Sequence, residues 1–382
     1  MSSPVRTLVK APGVIQLPDG FQITDVPPKL GHPVTAVPSL GPLAAFVGDW
    51  TGSGFNTIFR PHKPGTPTGL PVADITTDNI LELNLTSENL SFSNSLGAVP
   101  NRGMVQGDVF LNGVPYLQAI NDVTNGSPVG IHLEPGIWIN VPVTTDPAEG
   151  PTVARMASIP HGTTVEAQGT FATISGAPKI PAVSITPIGP SGPVVFPSQT
   201  ATNAGTPRIP QDLTSFIAAK TITQAMLTDP NSVLRDHIST QKITATTAIT
   251  ISSAPKAPLV GGGTDNIAFL QGTSAPNAQT TQMTATFWIE TVQETILVPV
   301  FKLGEAPLKI AGQAKGPGQL APVFSVTPPI AITAPRPITV TFTQIQYSQT
   351  VFLKFNGLSW PHVSVATLVP SAAVTVPSTV WT

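Results

Sequence analysis

The sequence predicts an all-β fold: an antiparallel β-barrel of about ten or more strands, carrying a proline-rich and short helical insertion. Three observations lead there. Hydrophobic residues are 41% of the chain, yet they come in short runs broken by Pro, Gly, Asn and Thr, the punctuation of strands and turns. The 43 prolines and 32 glycines rule out a framework of long helices. Several runs alternate with a period of two, as a strand with two unlike faces does. A closed barrel removes sheet edges and can enclose a ligand. A sandwich satisfies the same alternation, and periodicity does not separate the two.

The elements follow in order. Residues 1–40 are rich in proline and read as an extended N-terminal arm. Residues 41–382 read as a single barrel domain, interrupted by a loop and helix insertion at about 176–242. Pro42-Leu-Ala-Ala-Phe-Val47 suits a short helical turn, and Gly48-Asp-Trp-Thr-Gly-Ser-Gly54 sets a Trp among glycines, as a close-packed barrel end requires. Residues 55–59 read as a first strand. In residues 80–85, Leu81, Leu83 and Leu85 share one face and Glu82 and Asn84 the other, the pattern of a half-buried strand. Residues 87–92 and 110–120 are further strands, the second broken at Gly113. Residues 130–140 read as two arms around a Pro135-Gly136 turn or bulge. Residues 154–159 and 163–173 form a hairpin about Pro160-His161-Gly162.

Residues 174–210, rich in Pro, Ser and Gly, read as a surface insertion. Helices are expected at 212–220 and at 231–240, the latter starting after Asp229-Pro230. Strand patterning then resumes, with Ile243, Ala245, Thr247, Ile249 and Ile251 on one face. It continues through 281–292, 295–303, 338–347, 352–355 and 363–368.

Composition narrows the chemistry. The net charge is −2 with no basic stripe, which argues against nucleic acid. No apolar run approaches the roughly 18–20 residues of a membrane-spanning helix. The first ten residues lack a hydrophobic signal core, and the expected location is cytoplasmic. There is no cysteine, so disulfides, thiolate catalysis, zinc–thiolate sites and iron–sulfur clusters are excluded. Gly261-Gly-Gly-Thr264 lacks the ending of a phosphate loop. Asp74, Asp78 and Asn79 lack the spacing of a calcium loop. No Gly-x-Ser-x-Gly elbow occurs.

Among six histidines, His362 stands out. Pro361 fixes the backbone before it, and Ser364, Ala366 and Leu368 follow on its face of a strand-like run. Small Ser364 and Ala366 would leave room for a macrocycle, and a neutral imidazole on a rigid strand suits haem iron. The plain alternative is a rim histidine bonded to backbone. Trp360, two residues earlier, is the best placed of Trp50, Trp138, Trp288 and Trp360 for pocket contact, although aromatics also anchor ordinary cores. His132 and Glu134, at i and i+2, point to one face, either as a ligand-orienting or acid–base pair or as a barrel-lining hydrogen bond. His161 reads as a rim residue; His32, His62 and His237 read as surface residues.

Four blocks, in order, resemble the nitrobindin family of haem-binding barrels, relatives of the calycin and lipocalin-like folds. They are Pro42 to Gly54; Ile131-His-Leu-Glu-Pro-Gly-Ile-Trp138; Met156-Ala-Ser-Ile-Pro-His-Gly-Thr-Thr-Val-Glu-Ala-Gln-Gly169; and Leu358-Ser-Trp-Pro-His-Val-Ser-Val-Ala-Thr-Leu368. The resemblance covers roughly residues 40–175 and 243–370, and neither the arm nor the insertion. It implies that His362 is the proximal ligand of ferric haem b; Trp360, Ser364, Ala366 and His132 are expected beside the cofactor from their own placement in the sequence. It also implies action on nitric oxide, peroxynitrite or peroxide. The chain is more than twice as long as compact family members, so the distal side is expected to be rebuilt. Two other readings stand beside this one. The first is a carrier for an apolar small molecule such as a lipid or terpenoid. The second is a structural, self-assembling barrel. Whether the chain is an enzyme is left open.

Overall fold

The structure is a computed structural model that describes residues 37–63, 78–316 and 318–381. Most of the N-terminal arm, with His32, and the segment holding Asp74 lie outside the described residues. Ten strands form the frame: β1 (Gly48–Pro61), β2 (Asn79–Phe92), β3 (Val109–Asp122), β4 (Val129–Val141), β5 (Thr152–Ile159), β6 (Thr163–Ser175), β7 (Lys242–Ser252), β8 (Gln279–Val298), β9 (Arg336–Phe355) and β10 (Leu358–Pro370). Each pairs antiparallel with the next. β10 returns to β1, with Trp50 opposite Pro370 and Thr57 opposite Val363. The sheet is therefore a closed up-and-down barrel, and the sandwich alternative falls away.

Closure explains the glycines of the first block. A Cβ on Gly52 would lie 2.1 Å from the Thr367 carbonyl oxygen, and one on Gly54 2.1 Å from that of Val365. At these two positions β1 approaches β10 too closely for any side chain. The strands are longer than the sequence runs suggest. Residues 281–292 and 295–303 fall mostly within β8, and residues 338–355 within β9, each strand 20 residues long. Gly113 interrupts nothing, and Pro135-Gly136 lies within continuous β4. The irregularity in that pair falls instead where Ile120 opposes His132 and Asn121 opposes Gly130.

One end of the barrel is closed by the 3-10 turn Gly41–Phe46, where the helical turn was expected. Phe46 is fully buried. Its ring stacks on Phe92 at 4.7 Å and meets Trp138 edge-on at 5.5 Å. Trp50 donates its indole N–H to the Phe46 carbonyl at 2.7 Å. Burying one such phenylalanine contributes on the order of 1.5–3 kcal/mol, so the turn is a fixed plug.

The insertion between Ser175 and Lys242 carries α1 (Thr214–Ala219), α2 (Gln224–Thr228) and α3 (Ser232–Ile238); α2 was not foreseen. It lies against the outside of the barrel. Arg208-Ile209 pairs in parallel with Leu81-Glu82 of β2, and Phe196 packs on Phe59 and Trp360. Leu81 and Leu83, on the outer face, are fully buried beneath this cover.

α3 covers a polar layer. Glu290 accepts a hydrogen bond from Gln344 Nε2 at 2.6 Å, Gln344 exchanges hydrogen bonds with Gln241, and His237 Nε2 lies 3.1 Å from Gln344 Oε1. His237 is buried, and so is His62. The expectation of surface histidines fails at both, because the sequence hides which outer faces are covered. Burial pushes the Glu290 carboxyl up to about 8, against the opposing pull of the Gln344 amide. A carboxyl raised in the folded state holds its proton where the unfolded chain has lost it. Its contribution is complete below the ordinary value of 4.5 and is lost as pH rises through about 8. The urea midpoint of wild type is expected to fall between pH 5 and pH 9 by more than that of Glu290→Gln; equal declines would remove Glu290 as the cause.

Candidate functional site

The inward face of the barrel follows from register and from bonds across the lumen. Trp138 opposes Arg155, Arg155 opposes Ala167, Phe287 opposes Tyr347, and Tyr347 opposes Ala366. Side chains on this face reach partners on strands that are not neighbours, which only an interior position allows. Tyr347 Oη on β9 donates to Glu88 Oε2 on β2 at 2.6 Å, while the other oxygen of Glu88 accepts from Gln118 Nε2 on the adjoining β3 at 2.7 Å. Arg155 on β5 donates to Gln349 Oε1 on β9 at 2.7 Å.

A buried ionic network fills the middle. Arg155 donates from Nε to Tyr116 Oη at 2.7 Å and pairs through Nη2 with Glu134 Oε1. Tyr116 Oη also donates to Glu134 Oε1. The guanidinium sits among the rings of Tyr116, Trp138 and Phe287, 5.4 to 5.8 Å from their centroids, within the range of cation–π attraction. A Cβ on Gly136 would stand 2.6 Å from the Tyr116 ring, so this glycine admits the phenol. Burial alone would raise the Glu134 carboxyl, but Arg155 and the bonds from His132 and Tyr116 outweigh it and hold Glu134 below the usual carboxylate range. Glu88 has no such cation, and burial raises it to about 7 against its bonds from Tyr347 and Gln118.

Toward the end opposite the plug the histidines gather. His132 Nε2 lies 3.1 Å from Glu134 Oε2, and its Nδ1 lies 3.2 Å from His161 Nε2. The pairing of His132 with Glu134 on one strand face is as the sequence indicated, and His161 is exposed in its turn. His362 is partly exposed, and its Nε2 is 2.8 Å from Asn56 Nδ2. Asn56 also donates to Ser364 Oγ at 2.7 Å and accepts from Asn84 Nδ2 at 3.3 Å. Burial, then the fields of His132 and His161, push the His362 imidazole down to about 3, so the ring is neutral. Inward positions at this end also include the apolar Ile120, Ile159, Met283 and Val351, the last opposite His362.

Of the residues singled out in the sequence, Ser364 and Ala366 share the face of His362, with Ala366 buried opposite Tyr347. Trp360 does not turn to the histidines. It stacks on Phe355 at 4.5 Å, packs on Phe59 and Phe196, and donates its N–H to the Phe355 carbonyl. Trp138 alone of the four tryptophans meets Arg155. The sequence reading missed Arg155, Tyr116, Glu88, Tyr347 and Asn56. The available signal was parity: Arg155 alternates in step with Val153, Ala157 and Ile159, an inward row, in a chain with only 18 lysines and arginines.

Among the described residues, no three His, Asp or Glu side chains are grouped to hold a metal ion, and no helix is long and apolar enough to cross a membrane. An open groove of about 690 Å³ crosses the wall at Pro135, Met156, Thr164 and Gly262, and His362 does not line it. No protein-family model matches this chain, and no curated protein matches it.

Proposed function

We propose that this chain is a small-molecule-binding β-barrel whose ligand is met at the histidine end, with haem held through His362 as the leading candidate. The observation that carries the reading is a neutral, partly exposed imidazole set among inward Ile, Val and Met side chains at the end opposite the plug. Neutral imidazole is the form that ligates iron, and apolar walls supply the burial that holds a porphyrin. The resemblance of the closing strand to that of the nitrobindin family supports the same residue.

The donor chemistry fits such a group, but the space is shared. Asn56 and Ser364 crowd the ring, and Nε2 must exchange the Asn56 amide for a metal. When bound, the iron would supply binding of a diatomic or peroxide ligand. The chain's own part is to present His362 as a neutral imidazole. The occupied Nε2 favours a second reading, an apolar lipid or terpenoid carried at the same end without ligation.

Haemin titrated into the purified protein is expected to give a Soret band characteristic of imidazole ligation. His362→Ala should weaken binding at least tenfold or shift the band. An identical spectrum after that substitution removes haem ligation by His362. A protein indifferent to haemin that releases an extractable apolar molecule supports the carrier.

A further inference from the structure

We propose that His132 and His161 form a two-imidazole site for a divalent transition-metal ion at the rim of the barrel, separate from His362. Three features of the geometry converge. The first is a matter of proton placement. Glu134 is buried, pairs with Arg155 through Oε1, and sets its Oε2 3.1 Å from His132 Nε2, where a carboxylate oxygen accepts a hydrogen bond. That fixes His132 in the tautomer with its proton on Nε2 and leaves a lone pair on Nδ1. This lone pair faces His161 Nε2, not the barrel wall.

The second feature is distance. The two nitrogens are 3.2 Å apart. Two ligands bound at about 2.0–2.1 Å in a tetrahedral arrangement stand about 3.3 Å from each other. The rings lie at 67° with centroids 5.1 Å apart, so the nitrogens approach without the rings stacking. A proton on His161 Nε2 makes a hydrogen bond across the same gap; a metal ion that replaces it sits off the line joining the two nitrogens, so the rings turn toward it while the nitrogens keep their separation.

The third feature is the surrounding shell. A carboxylate on the far nitrogen of a ligating histidine is the usual outer partner of such sites, orienting the ring and raising its basicity. Glu134 holds that position, and Tyr116 and Arg155 hold Glu134. His161 is exposed, which leaves the remaining coordination positions to water or to an incoming ligand. The absence of a third protein donor among the described residues makes this an open, exchangeable site, not a structural one.

Imidazole pairs prefer copper(II) among the divalent first-row ions, so copper(II) is the probe. Tag-free protein is titrated with copper(II), followed by calorimetry and by electron paramagnetic resonance. Wild type should bind one equivalent with nitrogen hyperfine structure from two imidazoles. His161→Ala, at an exposed position that does not threaten folding, should lower the affinity at least tenfold and remove one nitrogen. His132→Ala should do the same, whereas His362→Ala should leave the signal unchanged, which separates this site from the haem reading. Unchanged copper binding in His161→Ala, or a signal lost in His362→Ala instead, overturns the assignment.

Discussion

Replacing Arg155 by methionine is expected to destabilise the barrel by about 3–5 kcal/mol, the cost of breaking a buried ion pair from one side. The substitution leaves Glu134 in the lumen with no cation. Its carboxylate then has only Tyr116 and His132, and Tyr116 and Gln349 lose the donors that Arg155 directs at them. The carboxyl escapes by taking up a proton, so the loss should be largest at high pH and smaller toward pH 5. The double variant Glu134→Gln with Arg155→Met removes both charges and should recover much of the loss, because paired buried charges add little net stability over apolar packing of similar volume. Urea midpoints of the two single variants and the double variant at pH 5 and pH 8 test this. Purely additive losses would mean that the pair is not coupled as the geometry requires. The copper site depends on the same carboxylate, so Arg155→Met should also shift copper affinity at constant fold.

The strands were legible in the sequence because their pattern is local, whereas closure of the sheet, which decides between barrel and sandwich, rests on the pairing of β10 with β1. Alternation with turn residues gives the strands, the hairpin about His161 matches β5 and β6, and the insertion falls between Ser175 and Lys242, close to the expected 176–242. Strand lengths were not legible. Threonine and glutamine in β8 and β9 break hydrophobic runs without breaking backbone pairing. The sense of each face was also hidden. Leu81 and Leu83 look like the core side of β2, yet the inward side is Asn84, Thr86 and Glu88. Alternation tells two faces apart, but only the long-range cover by the insertion says that both are buried.

The site was legible in part for the same reason. His132 with Glu134, and the shared face of His362, Ser364 and Ala366, follow from a period of two on one strand. Arg155 meeting Glu134, and Asn56 meeting His362, require knowing which strands adjoin and how the register falls. Trp360 shows the limit of parity. Before Val363 the closing strand does not pair with β1, and Ser359 pairs with Ile188 of the insertion instead. The ring follows the insertion into a cluster with Phe59, Phe196 and Phe355, not the face its number implies.

Arg208 should prove the most sensitive residue outside the barrel lumen. Its side chain is fully buried, and its guanidinium donates to the carbonyls of Ser198, Thr200, Ala201, Asn203, Pro210 and Gln211. No carboxylate hydrogen-bonds to it; burial lowers its basicity and Asp212 only partly restores it. Six carbonyls from two stretches, 198–203 and 210–211, thus converge on one cation, and the loop 198–211 has little other regular structure to hold it. Arg208→Met keeps the stem but leaves these carbonyls without donors, each worth roughly 1–3 kcal/mol when buried and unsatisfied, less whatever water recovers. A loss of several kcal/mol is expected, confined to the insertion. Arg208→Lys keeps the charge but has three donors instead of five, and should restore only part of it. Because Arg208-Ile209 is also the rung that pairs with β2, loosening this loop should strip the cover from Leu81 and Leu83. Hydrogen exchange in Arg208→Met should therefore accelerate in residues 180–240 and in the outer amides of β2, while amides of β5, β6 and β8 stay protected. Uniform loss of protection through the barrel would show that the insertion and the barrel unfold as one unit, and Arg208 would then be a determinant of the whole fold.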